Sequence, residues 1–227
     1  MKLQLSMRNV SKFFEQQGMI CHVFDDASMT FEQGVSYAIM GASGSGKSTA
    51  IHLLAGIDCP SSGIICLQDP AIDNDRVEKK ELSFAQNISL VFQQAMLFAE
   101  LTVLENVMIK AILSGTVEQK SYEHAYQLLQ EVGLADKAQV FPAMLSGGQQ
   151  QRVAILRAIF IVPKFLLVDE PTGNLDDACG QQVIDLLLYY HKKYGMGLIM
   201  STHNQQIAER MEYVVRVENK KLVLHNV

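Results

Sequence analysis

Residues 41–48 read Gly41-Ala-Ser-Gly-Ser-Gly-Lys-Ser48, and they directly follow the run Val35-Ser-Tyr-Ala-Ile-Met40. Apolar side chains alternate along this run, which predicts a β-strand that ends where the glycines begin. The eight residues match the pattern G-x-x-x-x-G-K-[ST], which indicates a phosphate-binding loop between a strand and a helix. The glycines let the backbone turn tightly and bring successive N–H groups close to an anion.

The polar side chains of this loop predict how a nucleotide would bind. Lys47 can reach the β- and γ-phosphates, the Ser48 hydroxyl can ligate Mg²⁺, and Thr49 is placed to contact the α-phosphate. The positive end of the following helix dipole adds to the attraction. We therefore predict that consecutive residues bind the nucleotide: Gly41, Ala42, Ser43, Gly44, Ser45, Gly46, Lys47, Ser48 and Thr49.

A second motif supplies carboxylates. Residues 165–168, Phe-Leu-Leu-Val, are typical of a buried strand, and Asp169 and Glu170 follow them directly. In proteins with a phosphate-binding loop, an aspartate at such a strand end holds Mg²⁺, which predicts that role for Asp169. Glu170 is predicted to polarise the attacking water as general base. An acidic pair alone would also fit the start of an exposed loop, but its place downstream of a complete phosphate-binding loop favours the site.

Composition excludes several classes of protein. The chain has 227 residues, 48% hydrophobic and 19% charged, which is enough apolar material for a packed core. Its 19 Lys and Arg against 24 Asp and Glu give a net charge of −5, which argues against a general nucleic-acid binder. No apolar run reaches the roughly 18 residues of a membrane span. Arg8 and Lys12 interrupt any signal-peptide core, so we expect a cytoplasmic protein with reduced, mostly buried cysteines.

Strand and helix patterns alternate along the chain. Strand patterns occupy the first third and return after residue 160, and a long helix is predicted at about 177–194. Thr102 and Glu105 form a capping box that begins a helical middle region at about 95–160. These patterns predict one domain over 1–227, an α/β core with a largely parallel sheet and an inserted helical subdomain.

A third motif, Leu145-Ser-Gly-Gly-Gln-Gln-Gln-Arg152, lies between the first two. Ser146 can cap the following helix, and Gln149 at the third helical position completes a box-like pattern. Gly147 and Gly148 leave backbone N–H groups uncovered, so this helix start can face negative charge. As a bare pattern, a capped helix with two glycines is common, and physics alone does not separate an anion site from an ordinary helix start.

The collinear order of the three motifs resembles the ATP-binding-cassette (ABC) ATPases over essentially the whole chain. Further positions fit: Gln93 resembles the Q-loop glutamine, Asp176 the D-loop aspartate and His203 the switch histidine. Phe14 falls where the family has an aromatic that stacks on adenine, with Phe13 as the alternative. The resemblance implies a P-loop NTPase core with a mostly parallel sheet, an N-terminal antiparallel β subdomain and an inserted helical subdomain.

The resemblance also implies a mechanism with ATP and Mg²⁺. Two cassettes, identical or homologous, would pair head to tail, so that Ser146, Gly147, Gly148 and Gln149 of one contact the ATP bound at Lys47 of the other. Glu170, His203, Lys47 and Gln93 are implied as catalytic residues, and Ser48, Gln93 and Asp169 as metal ligands.

The phrase Val168-Asp-Glu-Pro-Thr-Gly-Asn-Leu-Asp176 resembles the lipoprotein-release (LolD), macrolide-export (MacB) and cell-division (FtsE) group. This implies an integral membrane permease as a partner, no nucleic acid, and a place on the cytoplasmic face of the inner membrane. Residues 94–104 carry several apolar side chains that could receive a permease helix, or could equally be core. An FtsE-like regulator without transport stays open as the alternative.

Several positions depart from the common pattern of the family. Ala50 and His52 stand where Leu and often Asn are found, and Leu156 replaces a frequent Ala. Asn219-Lys220 replaces the frequent Asp-Gly of the last hairpin, although Asn tolerates a left-handed backbone. We expect none of these departures to touch the catalytic residues.

Overall fold

The computed structural model describes residues 2–16, 18–68 and 84–226. Its strands are β1 Gln4–Gln16, β2 Met19–Glu32, β3 Ser36–Met40, β4 Ser62–Gln68, β5 Ile88–Val91, β6 Phe165–Asp169, β7 Gly197–Ser201, β8 Tyr213–Glu218 and β9 Lys221–Asn226. Its α-helices are α1 Lys47–Ala55, α2 Phe84–Asn87, α3 Val103–Leu113, α4 Gln119–Glu131, α5 Gly147–Ile159, α6 Asp177–Tyr194 and α7 Gln205–Ala208. Short 3₁₀ turns cover Ala135–Lys137 and Pro142–Met144.

The described strands form two sheets. The first is antiparallel, with the order β2-β1-β4. The second has the order β5-β6-β7-β3-β8-β9; β6, β7, β3 and β8 run parallel, and β9 returns antiparallel to β8. The α/β class, the mostly parallel sheet and the N-terminal antiparallel sheet are thereby confirmed.

The central strands are buried on both faces. Every residue of β3, β6 and β7 is buried, as is usual for parallel strands inside an α/β sheet. Apolar and small or polar residues alternate along β3, as predicted, but the side chains on both faces of the strand are buried. The phosphate-binding loop, Glu170 and His203 follow the carboxyl ends of these strands.

The chain divides into two compact units. The first takes in the described residues of Met1–Leu90, Lys164–Glu170 and Tyr190–Val227. Its core joins side chains of the antiparallel sheet, such as Leu5 and Phe31, with Ile51 and Leu54 of α1 and Ile39 of β3. Burial of these apolar side chains holds α1, and with it the loop before α1, against the sheets.

The second unit takes in Val91–Pro163 and Pro171–Tyr189. Helices α3, α4 and α5 pack on one another there, and a backbone bond from Val103 N–H to Val140 O at 2.9 Å ties the start of α3 to the loop after α4. The single domain over 1–227 and the subdomain limits of about 95–160 remain predictions.

Local signals in the sequence are confirmed at both predicted capping boxes. The Thr102 side chain accepts from Glu105 N–H at the start of α3, and Ser146 accepts from Gln149 N–H at the start of α5. In both boxes the side chain at the third helical position bonds back to the N-cap N–H. The predicted long helix also has the bounds of α6, Asp177–Tyr194.

Two further observations concern exposure. Cys21 and Cys59 are exposed and Cys66 and Cys179 are half-buried, all four as free thiols, so the expectation of mostly buried cysteines was wrong. Within the part of the chain that the structure describes, no helix has the length and apolar character needed to cross a bilayer.

Candidate active site

Three parallel strands end at the same edge of the sheet, and the candidate site is built there. The phosphate-binding loop follows β3, Asp169 ends β6 and Ser201 ends β7. In the ladder Asp169 pairs with Ser201, and Ser201 pairs with Ile39. The carboxyl edge of a parallel sheet is where such folds bind ligands.

The loop 41–46 has a backbone that only glycine permits at its end. Gly46 caps α1 with φ 107°, and a Cβ placed there would lie 2.4 Å from Val23 Cγ1. Ala42, Ser43 and Gly44 are exposed, so an anion can approach the loop from solvent. The start of α1 then adds free backbone N–H groups and its dipole.

Lys47 points its ammonium back across the loop. The side chain is 6% exposed, and Nζ donates to the carbonyls of Gly41 and Ala42, each at 3.2 Å. Its third neighbour is Glu170 Oε1 at 3.4 Å. The cation therefore lies between the loop and the candidate general base.

Asp169 is the centre of a group of polar side chains. Its Oδ1 accepts from Ser48 Oγ at 2.9 Å and from Ser201 Oγ at 2.6 Å. His52 Nε2 lies 3.6 Å from Asp169 Oδ2. The expectation that none of the unusual residues touches the catalytic set was therefore wrong for His52, because one turn of α1 brings it above Ser48.

Glu170 has a strained backbone that directs its carboxylate. Its φ is +40°, a region that few non-glycine residues adopt. The carboxylate lies between Lys47 and His203, with Glu170 Oε2 3.6 Å from His203 Nδ1. Asn204 caps α7 and donates its N–H to Thr202 Oγ1 at 3.1 Å, which fixes the turn that carries His203.

The donor set fits a nucleotide with Mg²⁺. Ser45 Oγ is a buried oxygen without a hydrogen-bond partner among the described residues, so the loop holds an unused polar atom. The Ser48 hydroxyl and the Asp169 carboxylate, 2.9 Å apart, are hard oxygen ligands. Mg²⁺ in such sites uses one or two protein oxygens and the phosphates of its substrate.

The hairpin of β1 and β2 carries the two aromatic candidates. Phe13 and Phe14 are 44% and 39% exposed. Lys12 Nζ lies 4.6 Å from the centre of the Phe14 ring, and Phe13 pairs with His22 at 5.7 Å. Both rings are exposed enough to stack on a base, so the assignment of adenine to Phe14 remains a prediction.

In the second unit, the third motif forms the start of α5. Ser146 and Gly147 are exposed there, and Gly148 is buried. A Cβ on Gly148 would lie 3.4 Å from Cys179 Sγ, and one on Gly147 would lie 3.6 Å from Leu175 Cδ2. A Cβ on Gly148 would also lie only 3.3 Å from Cys179 Cβ, whereas the distance at Gly147 is that of an ordinary van der Waals contact, so Gly148 lets this helix start pack closely on Cys179.

Asp176 caps the start of α6. Its Oδ1 accepts from Cys179 N–H at 2.8 Å. The pKa of the Asp176 carboxyl is lowered by the backbone N–H and the thiol of Cys179, and the pKa of the Cys179 thiol is raised by the same carboxylate. Asp176 is therefore kept ionised at an exposed helix start.

Gln93 is exposed and follows β5, and α5 holds both sides of it. Gln151 Nε2 donates to Phe92 O at 3.1 Å, and Arg157 donates to Ala95 O at 2.8 Å and Met96 O at 2.6 Å. Burial lowers the pKa of Arg157, and burial together with the Arg157 charge lowers that of Lys110. These hydrogen bonds from Gln151 and Arg157, which we call the α5 clamp, were not predicted from the sequence.

The remainder of residues 94–104 is held from α3. The Asn106 side chain is fully buried. Its Nδ2 donates to Phe98 O at 3.0 Å and Leu101 O at 3.1 Å, and its Oδ1 accepts from Phe98 N–H at 2.8 Å. Met96 and Phe98 are 60% and 48% exposed, whereas Leu97 and Leu101 are half-buried. The segment thus presents apolar side chains on a fixed backbone.

Comparison with known proteins agrees with this geometry. The model of the ABC transporter family matches residues 24–173. The lipoprotein-releasing system ATP-binding protein LolD of Syntrophus aciditrophicus is 40% identical over 220 residues, 96% of this chain and 98% of the relative. LolD of Legionella pneumophila strain Paris is 40% identical over 223 residues, 97% of this chain and 94% of the relative.

A solved dimeric ATP-binding cassette in a post-hydrolysis state, bound to ADP and Pi, superposes with a TM-score of 0.83 at 29% identity over 98% of each chain. The chain belongs to the ABC transporter family. It is an ATP-binding cassette, which hydrolyses ATP to drive transport.

The structure of this ABC cassette brings together the phosphate-binding loop, Asp169, Glu170 and His203 in its first unit. Gln93, the signature residues 146–149 and Asp176 lie in its second unit. Ser201 and His52 were missed as neighbours of the carboxylates. The only sequence signal for Ser201 is its place two residues before His203, at the end of β7.

Proposed function

We propose that this ABC ATPase dimerises around two ATP molecules and drives a separate membrane permease in a lipoprotein-release or MacB-like export system. The observation that carries the proposal is the 40% identity to LolD proteins along nearly the whole of both chains. The place of work would be the cytoplasmic face of the inner membrane, with the cassette bound peripherally through its permease.

In the proposed mechanism the phosphate-binding loop and Lys47 hold the phosphates. Ser48 and Asp169, with Gln93, would hold Mg²⁺, which when bound offsets negative charge on the phosphate oxygens. Glu170 accepts a proton from water as the water oxygen bonds to the γ-phosphorus, and the bond from that phosphorus to the ADP oxygen breaks. His203, whose Nδ1 lies 3.6 Å from Glu170 Oε2, would contact the γ-phosphate.

The dimer would complete each site with the signature of the partner. The α5 start with its exposed Ser146 and Gly147 is a helix N-terminus that suits a γ-phosphate. The first turn of α5 contains no acidic residue, so no carboxylate of that turn competes for this N-terminus. A solved cassette to which this chain is similar is a dimer bound to ADP and Pi, which supports dimerisation of this chain.

The permease would dock on residues 94–104. Exposed Met96 and Phe98 offer an apolar surface for a short amphipathic helix. The α5 clamp and the hydrogen bonds of Asn106 fix the backbone beneath these side chains before docking, which lowers the entropic cost of binding. Movement of α5 on ATP binding would then reach the docking segment directly.

Co-purification with candidate membrane subunits tests the proposal. The tagged chain is co-expressed with the lipoprotein-release permease of its own genome, and separately with a division-site membrane subunit. We expect a complex with the permease whose ATPase activity rises above that of the free cassette. A complex with the division subunit alone would favour the FtsE-like alternative, and failure with both would overturn the proposal.

A variant pair tests the docking surface. Met96→Asp places a charge on the proposed interface and should abolish co-purification. Leu113→Asp is the matched control, because Leu113 is an apolar residue of the same unit, 78% exposed and outside residues 94–104. Equal loss with both variants would contradict docking on this segment.

A further inference from the structure

The buried hydroxyl of Ser201 hydrogen-bonds both to the side chain of Asp169 and to the backbone of Glu170. Ser201 has no exposed surface. Its Oγ accepts from Glu170 N–H at 2.9 Å and donates to Asp169 Oδ1 at 2.6 Å. The hydroxyl thus uses its donor on the side chain of one residue and an acceptor lone pair on the backbone of the next.

The backbone at Glu170 needs such support. A left-handed φ at a non-glycine residue persists only where the surroundings hold it. The Glu170 N–H bond to Ser201 acts on the peptide group that enters this conformation. The same conformation leaves the carboxylate 3.4 Å from Lys47 Nζ and 3.6 Å from His203 Nδ1.

We propose that Ser201 is a positioning residue for ATP hydrolysis, which fixes the Asp169–Glu170 peptide and thereby aims the Glu170 carboxylate. The inference rests on the proposed role of Glu170 as the base. Ser201 does not touch the reacting atoms. It acts through Glu170, and through the orientation of Asp169 beside Ser48.

Loss of the Ser201 hydroxyl should lower the turnover of ATP without weakening its binding. Loss of the hydroxyl frees the Glu170 N–H and lets φ relax, which moves the carboxylate but leaves the loop 41–48 intact. Outer partners of functional carboxylates are worth about 10- to 100-fold in activity or metal affinity. We expect kcat to fall by about that factor in Ser201→Ala, with KM for ATP changed by less than about threefold.

Ser36 provides a matched control in the same unit. It is also a buried serine, and its hydroxyl bonds to both the side chain and the backbone of one acidic residue. Its Oγ donates to Glu212 Oε2 at 3.0 Å and accepts from Glu212 N–H at 3.1 Å. Ser36 begins β3, at the opposite end from the phosphate-binding loop. We expect Ser36→Ala and Ser201→Ala to lower the thermal unfolding midpoint to a similar extent. Only Ser201→Ala should lower turnover.

The experiment compares the full-length chain with Ser201→Ala, Ser201→Cys, Ser201→Thr and Ser36→Ala. Steady-state kcat and KM are measured with Mg²⁺-ATP, and amide hydrogen exchange at Glu170 is measured in nucleotide-free protein. We expect faster exchange and low kcat in the Ala and Cys variants, and recovery of both in Ser201→Thr, which keeps the hydroxyl. Cys preserves the volume, so it serves if the Ala variant does not fold.

Two results would overturn the proposal: wild-type kcat in Ser201→Cys, or equal losses of kcat in Ser201→Ala and Ser36→Ala. Glu170→Gln run in parallel separates this from failure of the proposed base. If Glu170→Gln hydrolyses ATP normally, the role of Glu170 is wrong. If Glu170→Gln is inactive and Ser201→Cys is normal, only the role of Ser201 is wrong.

Discussion

Lys47 Nζ lies 3.4 Å from Glu170 Oε1, with the two side chains 6% and 21% exposed. The cation predicted to bind phosphate and the carboxylate predicted to activate water are therefore neighbours. This contact joins the end of the phosphate-binding loop to the residue after β6. Each group can be tested by a substitution that removes its charge.

Glu170→Gln should abolish turnover and trap an ATP-bound dimer. An amide keeps the shape but does not accept the proton of water, and a general base contributes about 10²- to 10⁴-fold. ATP turnover and light scattering after size-exclusion chromatography with ATP measure the two effects. Glu209→Gln, at the exposed position directly after α7, is the control. Substantial steady-state hydrolysis by Glu170→Gln would count against Glu170 as the base.

Lys47→Ala should weaken ATP binding. The ammonium bonds to the carbonyls of Gly41 and Ala42 and would exchange them for phosphate oxygens. Hydrogen bonds to charged groups are worth about 1.5–3 kcal/mol, so the Kd should rise about 10- to 100-fold. Isothermal titration with ATP measures this. Lys137→Ala, which removes a surface lysine with 41% side-chain exposure, should bind normally; unchanged affinity in Lys47→Ala would contradict the prediction.

Phe14→Ala should weaken ATP binding more than Phe13→Ala. Stacking of a base on an aromatic ring contributes about 1–3 kcal/mol, and the two rings are exposed to similar extents. The same substitution at adjacent positions of β1 therefore serves as its own control. Titration with ATP and with triphosphate lacking the base distinguishes stacking from a general loss. A larger effect at Phe13 would assign the adenine to that ring.

Arg157→Lys should loosen residues 95–96. A lysine keeps a charge but has no planar fork to reach the carbonyls of Ala95 and Met96 together. Amide exchange of peptides covering 94–101 should become faster, by about tenfold for the loss of one such bond. Arg216→Lys, at an exposed position on β8, is the control. Unchanged exchange in Arg157→Lys would mean that Asn106 alone holds the segment.

Glu105 should make the stability of the chain depend on pH. The N–H and then the hydroxyl of Thr102 donate to its carboxylate and lower its pKa below the usual 4.5. The folded pKa lies below the unfolded one, so the stabilisation is present above the unfolded pKa. It is lost as the pH falls through the folded pKa. Urea unfolding at pH 7 and below pH 4 should show the advantage of wild type over Glu105→Gln shrinking in acid.

Two variants check that interpretation of Glu105. Thr102→Ala removes the cap and should cost about 1 kcal/mol at pH 7. Glu123→Gln, on the exposed face of α4, is the control for the loss of one surface charge. A wild-type advantage over Glu105→Gln that persists in acid would contradict the assignment.

Much of the fold could be predicted because its signals are local. The phosphate-binding loop, the capping boxes at Thr102 and Ser146 and the limits of α6 each depend on residues within a few positions of one another. The turn at Asn219 and Lys220 has φ 48° and 62°; the side chain of Asn tolerates this conformation, and nothing in the structure explains it for Lys220. The order of the motifs along the chain was enough to indicate the ABC ATPases.

The tertiary structure alone decided which side chains meet. Ser201 reaches Asp169 because β6 and β7 pair in parallel with these two residues in register, although 32 positions separate them. His52 reaches Asp169 because α1 packs against the sheet, and Arg157 reaches Met96 because α5 lies beneath that segment. The sequence by itself determined the loops, caps and strand ends that carry the chemistry. Strand register and helix packing, which depend on contacts between distant residues, decided how those groups are held.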